Sequence, residues 1–203
     1  MADVVRPGQV DWTGDNPFIY LKESPGGDWS SLSLFFRVTA SELGAGHMAL
    51  VIQDPYGEAD SGAVRLALTD NGPLAGFLLD DFVRRFVLFR PSRVLDHLEV
   101  LEGANFSQHI DGDGSWTESA HVPGADRSVV LRWADLGEPF AVDVPPAQSG
   151  TGEHEMFSVF RTAGSASVTV DGERLPGSTV ERDFLNGPAQ SAALALSETW
   201  VRG

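Results

Sequence analysis

The residues of this sequence best placed for chemistry are ionisable side chains set inside apolar alternation. Near the C-terminus Leu194, Leu196, Glu198 and Trp200 share one side of a period-two pattern. Val64, Leu66 and Leu68 alternate with Arg65 and Ala67, and Arg132 sits between Leu131 and Trp133. If such positions line a dry pocket, they supply acids and bases there. A lone carboxyl in that setting has a raised pKa and can act as a general acid. Glu198 is the first catalytic candidate and Asp183 the second. Arg65 and Arg132 are the expected counter-charges. With Trp133, Trp200 and Phe36 they form the expected substrate-binding wall. An inward Glu198 without a cation would hold a proton near neutral pH. One paired with arginine would stay ionised, as a structural partner or a base.

Other motifs lead elsewhere. Gly44-Ala45-Gly46-His47-Met48-Ala49 fits G-x-G-x-x-A, but a short β-like run ending at Pro55 follows it. A dinucleotide site needs a long helix there, so the run reads as a turn. His109, Asp111 and Asp113 resemble a metal cluster. A calcium loop starting at Asp111 would need Gly and Glu where Trp116 and Val122 stand. This run reads as a polar hairpin tip, and no metal or cofactor is expected. G-x-S-x-G is absent, which removes the hydrolase elbow.

Composition narrows the classes further. The 203 residues carry 29 acids against 14 Lys+Arg, a formal charge of −15. That field repels phosphate backbones and anionic membranes, so neither nucleic acid nor lipid surface is an expected partner. No cysteine is present, which excludes disulfides, thiolate nucleophiles and Cys-ligated metals. No signal-peptide pattern opens the sequence, and no apolar run approaches the ~20 residues that span a bilayer. Those features lead to the expectation of a cytoplasmic protein. The reliance on Arg, with Lys22 the only lysine, suits a GC-rich bacterial genome.

The elements that must position the candidates are mostly strands. Residues 32–39 alternate Leu32, Leu34, Phe36 and Val38 against Ser33, Phe35, Arg37 and Thr39. Runs at 47–53 and 63–69 follow after short turns, which favours an antiparallel meander. Further strands are expected at 18–23, 104–110, 115–121, 129–133, 140–144, 156–162, 167–171 and 192–201. Residues 74–89 are the exception. Leu74, Leu78, Phe82 and Phe86 recur every fourth position, with Asp80/Arg84 and Asp81/Arg85 as acid-first i,i+4 pairs. Asn71-Gly72-Pro73 supplies the cap. The expected fold is mainly β: one antiparallel calycin-like barrel over residues 1–203, or alternatively a two-sheet sandwich. It carries one main amphipathic helix, and residues 1–17 are expected to be irregular.

The C-terminal residues also resemble a known family. Residues 167–177, SVTVDGERLPG, precede ERDFLNGP at 181–188 and a closing Thr199-Trp200. This order is similar to that in lipocalin-like proteins of the AttH/carotenoid 1,2-hydratase group. Those carry a hairpin with V-x-G, an R-D-H-x-W-G-like run and a Trp-rich final strand. Arg182, Asp183 and Gly187 match the run, while Phe184 and Asn186 replace its His and Trp. The resemblance covers about a fifth of the chain. It implies a calycin barrel holding an apolar molecule, and the missing His argues against hydratase chemistry in particular.

The expected function is an enzyme acting on a hydrophobic substrate of secondary metabolism: a cyclase, isomerase or hydratase. Its walls of Trp and Phe would favour a folded or cationic transition state. The alternatives are a non-catalytic carrier or sensor of such a ligand, and a carbohydrate-binding sandwich. Buried ionisable groups in the cavity would favour the enzyme. A purely apolar cavity would favour the carrier, and a shallow aromatic platform the sugar binder.

Overall fold

The computed structural model of the protein describes residues 8–58, 61–185 and 187–203. Residues 1–7, the start of the segment expected to be irregular, residues 59–60 and Asn186 lie outside them. Strands β1 (Gln9–Asp15), β2 (Phe18–Leu21), β3 (Ser31–Ser41), β4 (Gly46–Gln53) and β5 (Arg65–Thr69) come first. Helix α1 (Gly72–Asp81) follows, then 3-10 turns at Val83–Arg85 and Arg93–His97. Next are β6 (Glu99–Glu102), β7 (Asn105–Ile110), β8 (Trp116–Val122), β9 (Arg127–Leu136) and β10 (Phe140–Val144). The chain ends with β11 (His154–Val170), β12 (Glu173–Arg174), β13 (Glu181–Phe184), β14 (Gly187–Gln190) and β15 (Ala192–Arg202). Residues 9–15 are therefore a strand, not irregular chain. Val10 and Trp12 give only a brief alternation, but the segment is held on both sides, by β3 and β15.

One large sheet runs in the order β6-β5-β4-β3-β1-β15-β11-β9-β8-β7. Its pairs are antiparallel except β5/β6. The expected meander is present in β3, β4 and β5. The 17-residue β11 bends the sheet into two leaves. Residues 154–162 pair with β15, and residues 163–170 pair with β9. The edge strands β6 and β7 are joined by Gly103 and Ala104 alone, yet no ladder links them among the described residues. The expected closed barrel is thus replaced by an open sheet turned over on itself. Gly103 takes φ 76°, where glycine turns the chain freely, and Ala104 N–H is spent on Thr69 O at 3.0 Å.

The first leaf is buried on both faces, although the sequence of its strand β3 reads as half-buried alternation. Leu32, Leu34, Phe36 and Val38 face one core together with Leu74, Leu78 and Phe82 of the helical region. Phe35, Val51, Leu66 and Leu68 face a second core shared with Val129, Leu131 and Trp133 of the other leaf. Trp133 Nε1 donates to Phe18 O at 2.9 Å, which fixes the indole between the leaves. Arg37 also bridges them, with Nη2 at 2.8 Å from each oxygen of the buried Glu118.

The helix is shorter than its stripe. Asn71 Oδ1 caps Leu74 N–H at 3.2 Å, as the sequence suggests. The helix ends at Asp81 because Phe82 leaves helical geometry at φ −121°. Both i,i+4 pairs still form across the end, Arg84–Asp80 at 3.2 Å and Arg85–Asp81 at 3.4 Å. Phe82 packs edge-on against Trp12, Phe77 and Trp200. The turn beyond it carries Phe86 and Phe89 toward a cavity instead of along a helix face. No helix among the described residues is long and apolar enough to cross a membrane.

Candidate functional site

The cavity has a volume of about 710 Å³ and opens on the helix side of the first leaf. Its floor is sheet: Phe18 and Tyr20 of β2, Leu34 of β3, Met156 and Phe160 of β11, and the end of β15. The turn carrying Phe86–Phe89 forms one wall, β10 and Gln148–Gly150 another. The β13–β14 hairpin, outside the large sheet, forms the third. This hairpin sends Phe184 against Phe18 and Phe160, at ring distances of 5.5 and 5.1 Å.

Glu198 reaches the cavity through a break in β15. Before the break, Ala193 and Ala195 face the first core while Leu194 faces the second. Regular alternation would send residue 198 to the second core with Leu194 and Leu196. The register slips between Phe157↔Thr199 and Val159↔Leu196, so β15 holds one residue more than β11 there. Ser197 is left-handed at φ 53°, and its N–H donates to Asp15 Oδ1 at 2.9 Å. This is a β-bulge, which re-aims the strand behind it. Glu198 and Trp200 turn to the cavity side, so they do not share a face with Leu194 and Leu196 as the uninterrupted pattern predicts.

The Glu198 side chain is 3% exposed. Oε1 accepts from Trp200 Nε1 at 3.0 Å, and Oε2 has no partner. Burial pushes its pKa up to about 8, with the Asp15 charge adding to the rise and the hydrogen bonds from Trp200 and Asn16 opposing it. No arginine is among the groups that set its charge. Asn16 adjoins it in the cavity lining, and Asn16 Oδ1 is likewise buried without a partner.

The cavity also holds a cation that residue patterning did not single out as one. Arg182 places its guanidinium carbon 4.9 Å from the Phe184 ring, 5.2 Å from Tyr20 and 5.5 Å from Phe18. Burial draws its pKa down from the usual arginine value, while Tyr20 and Asp183 oppose that shift. Burial likewise raises the Tyr20 phenol well above its usual range.

Of the seven residues singled out from the sequence, Glu198, Asp183 and Trp200 line this cavity. Asp183 is exposed at its mouth. The other four stand elsewhere. Arg65 gives its guanidinium to Glu58 O and Ser61 Oγ at the start of β5. Arg132 meets Ser115 Oγ at 2.8 Å on the second leaf. Trp133 is enclosed in the second core, and Phe36 is packed on Trp12 in the first. Arg182 was visible as half of an Arg-Asp pair in a polar hairpin, but nothing local shows that three aromatic rings close around it.

Two further polar clusters lie outside the cavity lining. His154 is fully buried, with Nε2 at 2.7 Å from Asp11 Oδ2 and Nδ1 at 2.8 Å from Thr151 Oγ1. Asp11 also accepts from Arg202 at 2.7 Å. This ties the two chain ends together, and its partners are 143 residues apart, beyond the reach of any spacing rule. On the β7–β8 hairpin His109 pairs with Asp111 at 3.0 Å, and Ser115 N–H donates to Asp113. Comparison with protein-family models, with curated proteins and with solved structures gave no match.

Proposed function

We propose that the cavity is the active site of a cofactor-independent enzyme that protonates an apolar small molecule, in a cyclisation, isomerisation or hydration. The observation that carries this reading is Glu198: a fully buried carboxyl in an apolar chamber, with one oxygen unpartnered. A carboxyl that stays protonated near neutral pH is poised to give a proton and take it back. The aromatic lining, Trp200, Phe86 and Phe160 among it, suits a substrate that develops positive charge. The volume is in the range of about 300–1,000 Å³ usual for small-molecule sites.

A purely apolar chamber would favour a carrier, and a flat aromatic platform a sugar binder. The buried acid and the arginine weigh toward catalysis. From the lipocalin-like resemblance the proposal keeps an apolar ligand in a β-built pocket. The charge of −15 supports a small molecule over nucleic acid or an anionic membrane as partner. A cytoplasmic location goes with this reading.

The test starts from native mass spectrometry of the protein purified from its own host, to identify a retained ligand. Glu198→Gln should keep affinity for that ligand and lower its turnover by about 100-fold or more. Unchanged turnover would remove Glu198 from the mechanism. A ligand recovered unaltered by the wild type would favour the carrier.

A further inference from the structure

The cavity contains two orphaned polar groups of opposite character. One is the Glu198 carboxyl. The other is Arg182, whose Nε–H is buried without a partner. An unsatisfied donor on a charged group is expensive to hold in the folded state. Several exposed arginines are paired with acids: Arg84 with Asp80 and Asp96, Arg85 with Asp81 and Glu153, Arg127 with Asp171 and Glu99. Arg182 instead stacks its planar faces among Phe18, Tyr20 and Phe184. Stacking covers the faces of a guanidinium and leaves its N–H edge free. That edge is matched in geometry by a carboxylate or a comparable oxyanion.

Resting on the reading of the cavity as a ligand site, we infer that its ligand is an amphipathic monoanion, with an apolar body along the aromatic floor and an anionic head group on the Arg182 edge. Asp143 and Asp183 also line the cavity and are exposed, and their negative charge disfavours a ligand carrying more than one anionic group. Deeper in, Glu198 in its acid form adds no negative charge. The body of the ligand then lies between the fixed anion and the proton donor. This arrangement gives the site polarity: one end anchors, the other reacts.

The experiment uses two fluorescent probes with the same aromatic body, 8-anilinonaphthalene-1-sulfonate and the uncharged N-phenyl-1-naphthylamine. Both are titrated into the full-length protein and into Arg182→Met, which keeps the apolar bulk and removes the charge. The wild type should bind the sulfonate more tightly. Arg182→Met should weaken the sulfonate by about tenfold or more, the scale of a lost charge-assisted contact. It should leave the neutral probe unchanged, and Arg182→Lys should restore part of the sulfonate affinity. Equal binding of both probes to the wild type, or an equal loss of both in Arg182→Met, would overturn the anionic ligand and leave the cavity reading standing. Failure of both probes to bind the wild type would overturn the cavity reading and this inference together. Equal circular dichroism spectra and denaturation midpoints for wild type and variant show that the change is in binding, and Phe184→Ala, which opens the stack, provides a second variant expected to weaken the sulfonate.

Discussion

Trp200 donates its indole N–H to Oε1 of Glu198 at 3.0 Å and leaves Oε2 of that carboxyl without a partner. The two residues are i,i+2 on β15, so both project to the cavity side once the bulge at Ser197 has reset the strand. The neutral donors Trp200 and Asn16 do not offset the burial of a charge, and the acid is the stable form over most of the neutral range. The same carboxyl is thus a source of protons and a liability for folding at high pH.

That liability gives the first prediction. Burial in the folded state raises the Glu198 pKa from the ordinary value of 4.5 to about 8. Between these values the native state holds a proton that the unfolded chain releases. Stability therefore falls as pH rises through the window. Below it both states are protonated and no penalty applies; above it the full penalty applies, on the order of several kcal/mol. Glu198→Gln removes the titration, so the variant should gain on the wild type between pH 5 and pH 9 in urea melts. A constant difference between the two proteins across that range would mean that Glu198 ionises normally.

Phe82→Ala should destabilise by about 3–5 kcal/mol, the usual range for deleting a buried Phe ring. The ring is fully buried and is touched edge-on by Trp12, Phe77 and Trp200. Denaturant midpoints measure this directly. A loss below about 1 kcal/mol would show that the helix end is not anchored in the core.

These contacts also show where the sequence was legible. The period of four from Leu74 to Phe82 marks a helix face correctly, because those residues do meet the sheet. Phe86 continues the period, yet the helix stops at Asp81, where Phe82 leaves helical geometry, and Phe86 packs instead on Trp200 and lines the cavity. Leu34 and Phe36 point to a core in sequence and in structure. Ser31 and Ser33 are polar in sequence but fully buried, because the second leaf covers that face. A single strand pattern carries no information about a layer that arrives a hundred residues later. Glu198 stood out as an acid in an apolar run. Its direction depends on one inserted residue, and Arg182 on a hairpin that packs remotely; neither leaves a local signal.

Gly14 pairs with Glu198 on one side and Val38 on the other. A Cβ at this position would stand 1.9 Å from Arg37 O, so the strands can approach only with glycine between them. Gly14→Ala should destabilise by at least about 2 kcal/mol. It should also change the near-ultraviolet tryptophan signal, because Trp12 is carried on β1, which is forced away from β3. A variant as stable as the wild type, with unchanged tryptophan spectra, would show that β1 and β3 separate there without cost.

Ser197 gives the most specific test of how Glu198 is placed. Its backbone is left-handed, a region that disfavours a residue with a Cβ by roughly 1–2 kcal/mol. Glycine has no such penalty, so Ser197→Gly should match or exceed the wild type in stability, by up to about 1 kcal/mol. Valine is branched at Cβ and fits that region worst, so Ser197→Val should lose about 1–2 kcal/mol or flatten the bulge to escape the strain. The two outcomes for valine differ in pH dependence. If the bulge holds, Glu198 stays buried and stability still falls between pH 5 and pH 9. If the bulge flattens, the strand regains its alternation, Glu198 leaves Trp200 and the cavity for the side of Leu194 and Leu196, and the pH at which stability falls shifts with its new surroundings. The glycine variant must keep the pH-dependent fall in either case, because the hydrogen bond from residue 197 N–H to Asp15 uses only the backbone. Loss of the fall in Ser197→Gly would mean that something other than this bulge aims the carboxyl.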